Sequence, residues 1–359
     1  YSDKIYLTDD NPRFESSRKI RKDIKKGIKK QKIYEFPNRS KAITHAINQL
    51  KTGEILLVAG KGHEKIQDHG VRKIFFSDKK TILDAIKIKN SSLSKNFKFN
   101  IVKELSEDNK ISSKLNLKQA KINSKEIKKD DIFFAIKGRK NDGNKFVGEA
   151  FNKKASLVIV NKINKNNNIT RQIKVKDSLK FLTQSSKIYR QNINTKIIAI
   201  TGSCGKTTLK ELLGSSLKKI SKVSTSPKSY NNKYGVPLSL FNIDQKDKYG
   251  VLEIGMDKKG EIDFLSKVIQ PDVSVITNIN YAHAKNFKNI KQIALAKSEI
   301  INNTKINGFI VLNADDKFYT LHKKMANKRK LNILSFGIDN QNANIKLIRI
   351  KKIANRFKA

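Results

Sequence analysis

The residues best suited to chemistry form one short glycine-rich run. It reads Thr201-Gly202-Ser203-Cys204-Gly205-Lys206-Thr207-Thr208. An apolar strand is predicted directly before it, at Lys196 to Ile200, and a helix is predicted to begin at Thr208. Glycines let a backbone wrap around phosphate oxygens, the N–H groups of a helix N-terminus attract anions, and a lysine can reach the terminal phosphates. The run therefore predicts a nucleotide site over residues 202–208, in preference to a plain strand-to-helix turn with a surface lysine.

Side chains near this run could hold Mg²⁺. Thr207 follows the lysine directly and can offer its hydroxyl to the ion. Glu253 lies near the end of the predicted strand Val251 to Gly255, and His283 follows the predicted strand Val273 to Ile279. Ligands of parallel sheets bind beyond the carboxyl ends of the strands, where these side chains should meet. Either residue alone would more often be structural, but their order after the phosphate loop favours a metal site. Cys204 has no histidine nearby in sequence and is expected to be a loop residue rather than a nucleophile.

The elements that must position these residues follow an α/β pattern. A length of 359 residues predicts two to four domains. The predicted divisions are residues 1–90, a Ser-, Asn- and Lys-rich linker at 91–100, a small unit at 101–190, a central unit at 191–335, and the start of a further, truncated domain at 336–359. Strands and helices alternate most cleanly in the central unit, which predicts a doubly wound parallel sheet. In the first unit, a helix at Lys41 to Leu50 and a buried strand at Glu54 to Ala59 are expected.

Composition excludes several functional classes. No apolar run approaches the roughly 18 residues needed to span a membrane. A single cysteine and a charged N-terminal stretch predict a reducing, cytoplasmic setting. The net charge of +44 would suit a nucleic-acid partner, but most of the cations are lysines scattered over every segment. Because arginine, the usual residue for bidentate recognition of phosphate and bases, is scarce, no nucleic-acid partner is expected.

The phosphate loop has two residues between its glycines, and in this it resembles the loops of the Mur ligases and of folylpolyglutamate synthetase. Further segments resemble the central domain of Mur ligases that add D-alanyl-D-alanine to UDP-N-acetylmuramoyl-tripeptide. These are residues 229–237, 253–256, 260–262, 282–283, 296–300 and 312–316. Six matches in family order favour this assignment over folylpolyglutamate synthetase, which stays open as the alternative.

The resemblance implies roles for individual residues. Lys206 would hold the β- and γ-phosphates, and Asn313 and Asp315 would approach the nucleotide base and ribose. Thr207 and Glu253 would bind one Mg²⁺ and His283 a second. Lys297 would be carbamylated, which would convert a cation into a metal-bridging anion; without the resemblance, it would be an amphipathic lysine that covers apolar surface.

Two other segments carry implied substrate contacts. Residues 101–190 resemble the domain that grips the uridine diphosphate end of the substrate, with Asn123-Ser124-Lys125 where the family usually has Asp-Ser-Arg. The substrate contacts expected in this and the central unit are Ser124, Asn231 and Asn232. Residues 1–90 resemble the carboxy-terminal domain of the Mur ligases that add meso-diaminopimelate. Asn11, Arg13, Gly60 and Glu64 would form a clamp for that amino acid; a simple Asx-Pro chain reversal is the alternative for the turn at 9–13.

The sequence thus predicts an ATP-dependent amide-bond ligase of peptidoglycan precursor synthesis that works through an acyl phosphate. The incoming amine would be D-alanyl-D-alanine for the second part and meso-diaminopimelate for the first. The chain is expected to be a fragment of a fused bifunctional protein that binds ATP and the uridine precursor but ligates weakly. A basic nucleic-acid module and a non-catalytic scaffold are the competing classes, and the oligomeric state is open.

Overall fold

The computed structural model describes residues 2–28, 31–50, 54–106, 115–138, 141–281, 286–348, 351–353 and 356–358. The chain divides into two compact units, residues 1–97 and 98–359, and each is described by itself. The division falls within the predicted linker at 91–100.

The first unit alternates strands and helices. Its elements are β1 (Lys4–Thr8), α1 (Ser17–Lys26), β2 (Lys32–Phe36), α2 (Arg39–Gln49), β3 (Ile66–Asp68), β4 (Lys73–Phe75) and the start of α3 (Asp78–Ser106). β1 and β2 are parallel, whereas β3 and β4 form an antiparallel pair. The side chains of Ser16 and Asn38 cap α1 and α2 by accepting hydrogen bonds from backbone amides of their first turns. A buried ion pair between Arg39 and Asp78 ties α2 to the start of α3.

One prediction for this unit was wrong. Residues 54–59 form no strand, although alternate residues of this segment are covered as they would be in one. Leu56 and Val58 pack against a cluster of buried residues, whereas Ile55 and Leu57 are exposed. The cluster consists of Ile43, Ile47 and Ala85. Apolar content alone predicted burial there, but only alternate residues are covered. The stretch 91–100, predicted as a linker, is helical, since α3 runs through it. α3 contains neither glycine nor proline, so helix propensity prevails over its weak apolar periodicity.

The second unit begins with a small sheet. β5 (Ala120–Lys121), β6 (Ile132–Phe134), β7 (Leu157–Val160) and β8 (Gln172–Lys174) pair in parallel in that order. α4 (Val147–Asn152) and α5 (Ser178–Gln191) accompany it. The strands β6 and β7 are fully buried, as expected for short parallel strands covered on both faces.

A seven-stranded sheet makes up the centre of this unit. The elements are β9 (Lys196–Thr201), α6 (Lys206–Lys218), β10 (Val223–Thr225), α7 (Gly235–Phe241), β11 (Tyr249–Glu253), α8 (Glu261–Ile269), β12 (Val273–Ile276), α9 (Ile290–Asn303), β13 (Phe309–Asn313), α10 (Tyr319–Lys328), β14 (Asn332–Gly337) and β15 (Ile345–Lys346). The strand order is β10-β11-β9-β12-β13-β14-β15, all parallel. From β9 the chain builds first to one side and then to the other, so the phosphate loop after β9 lies at the switch point of a doubly wound sheet. The α/β fold class is confirmed.

The central sheet extends past the predicted boundary at residue 335. β15 pairs with β14, so residues 345–346 belong to the sheet rather than to a following domain. The two residues of β15 carry too little apolar pattern to be recognised as a strand in sequence. Two more short strands, β16 (Lys351–Ile353) and β17 (Arg356–Lys358), pair with each other in antiparallel fashion.

Buried hydrogen bonds join the small sheet and its helix to the central sheet. The guanidinium of Arg190, at the end of α5, is 3% exposed and donates to Ile269 O, Gln270 O and the Asp272 carboxylate. The hydroxyl of Tyr189 donates to Ile243 O. Asn242 accepts from Ala120 N at 2.6 Å and donates to Ala120 O at 2.8 Å, and so takes the place of a neighbouring strand beside β5. These bonds fix the small sheet against the sheet that carries the phosphate loop.

In the part of the chain that the structure describes, no helix is both long and apolar enough to cross a membrane.

Candidate nucleotide site

The phosphate loop requires both of its glycines. Gly205 has φ +78°, in the left-handed region that favours glycine. Gly202 has φ +147°, and a Cβ atom there would lie 1.9 Å from Thr277 Oγ1. Any side chain at residue 202 would therefore push the loop away from the strand end beside it.

A neighbouring loop holds the phosphate loop in place. Ser203 N donates to Asn278 O at 2.9 Å, and Cys204 N donates to Asn278 Oδ1 at 3.0 Å. The hydroxyl of Thr277 donates to Cys204 O at 2.7 Å. Thr277 and Asn278 were not among the predicted site residues, although their polar side chains directly after β12 are the signal that could have identified them.

Lys206 opens α6, the helix that follows the loop. The helix packs on the sheet through Leu209, Leu213 and Leu217. The Lys206 ammonium donates to Gly202 O at 2.9 Å and to Ser203 O at 3.3 Å, so it lies over the loop that would receive the phosphates. The free backbone amides at the start of a helix point outward and attract anions. Together with the Lys206 ammonium, they can hold a phosphate group.

Glu253 ends β11 beside this helix. Its carboxylate is buried, with the residue 2% exposed, and it accepts hydrogen bonds from Thr207 Oγ1 and from Asn231 Nδ2, both at 2.8 Å. Its backbone N donates to Ser226 Oγ at 3.2 Å. The predicted proximity of Thr207 and Glu253 is therefore present in the fold. The two oxygens are hard ligands of the kind that Mg²⁺ prefers, so the donor set fits that ion.

Lys297 reaches the same loop from α9. Its side chain is on the buried face of the helix, 2% exposed, and Nζ donates to Gly202 O at 2.9 Å. Burial, followed by repulsion from Lys206, lowers the pKa of Lys297 to about 7. At Thr201, the residue before Gly202, the hydroxyl is buried without a hydrogen-bond partner in the described structure. A lysine with a lowered pKa and a buried hydroxyl without a partner, both at the phosphate loop, indicate a site that accommodates another chemical group.

The remaining predicted nucleotide residues have mixed positions. His283 lies outside the described residues, and no cluster of three or more metal-binding side chains occurs among the residues that are described. Thr208 is exposed on α6. Asn313 Oδ1 accepts from Asp315 N at 3.0 Å, and the Asp315 carboxylate accepts from backbone amides of residues 338–340, which lowers the pKa of Asp315. Asp315 thus shapes the turn after β14, and its role at the ribose stays a prediction.

Two segments of the chain match domains of one known protein family. Residues 200–358 match the Mur ligase middle domain, and residues 1–62 match the Mur ligase glutamate ligase domain. Together these matches cover more than half of the chain. The chain belongs to the Mur ligase family.

Individual Mur ligases agree with the family matches. The chain is 37% identical over 217 residues to the UDP-N-acetylmuramoyl-tripeptide–D-alanyl-D-alanine ligase of Buchnera aphidicola, which covers 60% of this chain and 47% of that protein. The ligase of the same name from Rickettsia prowazekii is 35% identical over 244 residues, 68% of this chain and 54% of its own length. The chain spans about half the length of these curated relatives.

Solved structures agree with the fold. MurF from Acinetobacter baumannii has a TM-score of 0.62 at 29% identity and covers 70% of this chain and 55% of its own. MurF ligase from Thermotoga maritima, in complex with ADP, has a TM-score of 0.54 at 34% identity. The match covers 62% of this chain and 51% of that protein.

Three predicted substrate residues lie in the second unit, one beside the small sheet and two in the loop before α7. Ser124, 6% exposed, donates to Glu149 Oε2 at 2.8 Å in the small sheet. Asn231 contacts Glu253, as described above. Asn232 Oδ1 accepts from Tyr234 N and Gly235 N, both at 3.0 Å, and so organises the start of α7. Substrate contact by all three residues stays a prediction.

The predicted clamp lies in the first unit, where the glutamate ligase domain matches. Asn11 Nδ2 donates to Glu64 Oε2 at 2.8 Å, and these two residues help to line an open depression of about 550 Å³. Lys61, with its side chain buried, donates to both of them and was not foreseen in the sequence. Gly60 has φ +111° and lies against Asp10, while Arg13 is exposed. The structure thus pairs Asn11 with Glu64, and diaminopimelate binding stays a prediction.

Proposed function

We propose that this chain belongs to an ATP-dependent ligase that adds D-alanyl-D-alanine to UDP-N-acetylmuramoyl-tripeptide. The observation that carries the proposal is the convergence of Lys206, Lys297 and the Thr207–Glu253 pair on one short phosphate loop. The named activity of the relatives described above supports the choice of substrates.

The proposed reaction proceeds in two steps. An oxygen of the tripeptide carboxylate attacks the γ-phosphorus of ATP, the bond to the ADP oxygen breaks, and an acyl phosphate forms. The amine of D-alanyl-D-alanine then attacks the acyl carbon, loses a proton, and displaces inorganic phosphate. Lys206 and the free amides at the start of α6 offset the charge on the transferring group. No protein nucleophile is required, which agrees with the position of Cys204 as a loop residue.

The acidic end of the site would hold Mg²⁺. Thr207 and Glu253 are the described residues that would bind the ion, and when bound it supplies a positive charge against the phosphate oxygens. Asn231 orients the Glu253 carboxylate through a hydrogen bond to its other oxygen.

Binding and product analysis of the 359-residue chain test this function. We expect ATP with Mg²⁺, and UDP-N-acetylmuramoyl-tripeptide, to bind with dissociation constants in roughly the micromolar to millimolar range. A pteroate substrate serves as the control, because a folylpolyglutamate synthetase would bind it instead. Mass spectrometry would detect the pentapeptide product when D-alanyl-D-alanine is added. Absence of binding for both ATP and the uridine precursor would contradict the proposal.

Lys297 is proposed to react with CO₂. The lysine nitrogen must be uncharged to attack the carbon of CO₂; it then loses a proton and becomes a carbamate. Because the pKa of Lys297 is lowered to about 7, the uncharged amine increases as pH rises through 7, whereas an exposed lysine stays charged to about pH 10. The carbamate would place an anion at the phosphate loop, where Lys297 now contacts Gly202 O.

We expect ¹³C-bicarbonate to give a carbamate signal in the NMR spectrum of the chain that grows between pH 6 and pH 8. The signal should be absent in Lys297→Ala and retained in Lys291→Ala, which removes an exposed lysine of the same helix. Equal signals from wild type and Lys297→Ala would refute the carbamate.

A further inference from the structure

A second lysine of α6 is buried without any role at the phosphates. Lys210 lies three residues after Thr207, and its side chain is 0% exposed. Removing a lysine charge from water is costly unless hydrogen bonds compensate for it. Its partners should therefore reveal what the buried charge does.

The ammonium of Lys210 has two partners in the described structure. It donates to the backbone carbonyl of Lys228, and it lies 3.2 Å from Glu211 Oε1. The Glu211 side chain is 61% exposed, so solvent weakens that ion pair. The hydrogen bond to the Lys228 carbonyl is therefore the main contact that compensates for burying the Lys210 charge.

Lys228 belongs to a tight loop, residues 226–231, that follows β10. Its backbone is in the left-handed region, with φ +46°, and Tyr230 N donates to Pro227 O at 3.1 Å. A non-glycine residue holds this conformation at some cost and needs contacts that maintain it. The charged hydrogen bond from Lys210 is such a contact.

The same loop is bonded at one end to β11 and at the other to the residues directly after it. Ser226 Oγ accepts from Glu253 N, and Asn231 O accepts from Gly255 N at 2.7 Å. Between these two bonds, the amide of Asn231 donates to the Glu253 carboxylate. The loop thus joins α6, through Lys210, to the carboxylate that faces Thr207.

We propose that Lys210 is a positioning residue for Glu253 and acts through loop 226–231. By holding the Lys228 carbonyl, Lys210 fixes the Asn231 amide against one carboxylate oxygen and leaves the other directed at Thr207 and the metal. This inference rests on the proposed function, in which Glu253 binds Mg²⁺.

The test measures how ATP binding depends on Mg²⁺ concentration. Lys210→Met removes the donor but keeps a long unbranched side chain. We expect the Mg²⁺ concentration for half-saturation to rise about tenfold, the loss typical of a charged hydrogen bond. Glu211→Gln is the matched control, because it removes the other partner of Lys210 and should leave half-saturation unchanged.

Two further variants separate positioning from general stability. If Lys210 acts through Asn231, Lys210→Met combined with Asn231→Ala should shift half-saturation no more than the larger single change does. Should circular dichroism show that Lys210→Met does not fold, Lys210→Gln, whose donor is one atom shorter, should show the same shift.

The possible failures are distinguishable. A folded Lys210 variant with a lower melting temperature but wild-type Mg²⁺ dependence would overturn the inference, as would independent effects in the double variant. If the wild-type chain itself showed no Mg²⁺-dependent ATP binding, the proposed function would fail instead.

Discussion

Replacing Lys206 with alanine is expected to lower the rate of ATP turnover about 10³-fold. The ammonium lies over the phosphate loop, where it donates to Gly202 O and Ser203 O, and it is the described cation nearest to where α6 begins. Without it, the charge that develops on the transferring phosphate is offset by the backbone amides and by bound Mg²⁺ alone. Phosphate release in the presence of ATP, Mg²⁺ and the uridine precursor measures the loss.

Lys218→Ala is the control for this prediction. Lys218 is an exposed lysine at the other end of the same helix, so its removal changes the net charge equally but should leave turnover within about twofold of wild type. Unchanged turnover in Lys206→Ala would favour a non-catalytic scaffold or a basic binding module over a ligase.

The second large effect is expected for Glu253→Gln. Glutamine has the same shape but no charge, and its amide NH₂ would face either Thr207 or Asn231, both of which donate to the carboxylate now. The lost anion weakens Mg²⁺ binding. In addition, an NH₂ group against the Asn231 amide would leave a buried donor unpaired at a cost of about 1–3 kcal/mol, whereas the Thr207 hydroxyl can turn to accept. We expect turnover at a fixed, subsaturating Mg²⁺ concentration to fall by about 10²- to 10³-fold.

Glu261→Gln is the matched control for Glu253. The Glu261 carboxylate also accepts two hydrogen bonds, from Asp257 N and Lys258 N, but it lies at the exposed start of α8. It should keep the wild-type Mg²⁺ dependence. If raising Mg²⁺ affected Glu253→Gln and wild type in the same way, Glu253 would not be a ligand of the metal.

Much of the central sheet could be predicted from sequence because its local signals agree with its tertiary structure. The strand predicted at Lys196 to Ile200 matches β9 except for one added residue, and the strand predicted from Val273 begins where β12 begins. Both are apolar runs that are largely buried in the folded sheet. Residues 54–59 differ because their burial depends on which neighbours cover each face, and apolar content does not encode that.

The sequence could predict those residues of the candidate site whose functional side chains lie at or just beyond the carboxyl ends of the strands of the central sheet. Thr207 and Glu253 meet because parallel strands bring their carboxyl ends to one edge, which the sequence order already implies. The bond from Lys297 to Gly202 O could be expected only from the family resemblance. Lys210 could not be found in this way, because it donates to a backbone carbonyl whose position depends on the folded loop.

The bond between Asn242 and Ala120 limits how the molecule can be dissected. A side chain from the centre of the chain completes the hydrogen bonding of β5, a strand of only two residues. A small domain excised at residue 190 would lose that amide, together with the acceptor of the Tyr189 hydroxyl. The segment around Ser124, three residues beyond β5 and predicted to contact the substrate, therefore depends for its shape on the sheet that carries the phosphate loop.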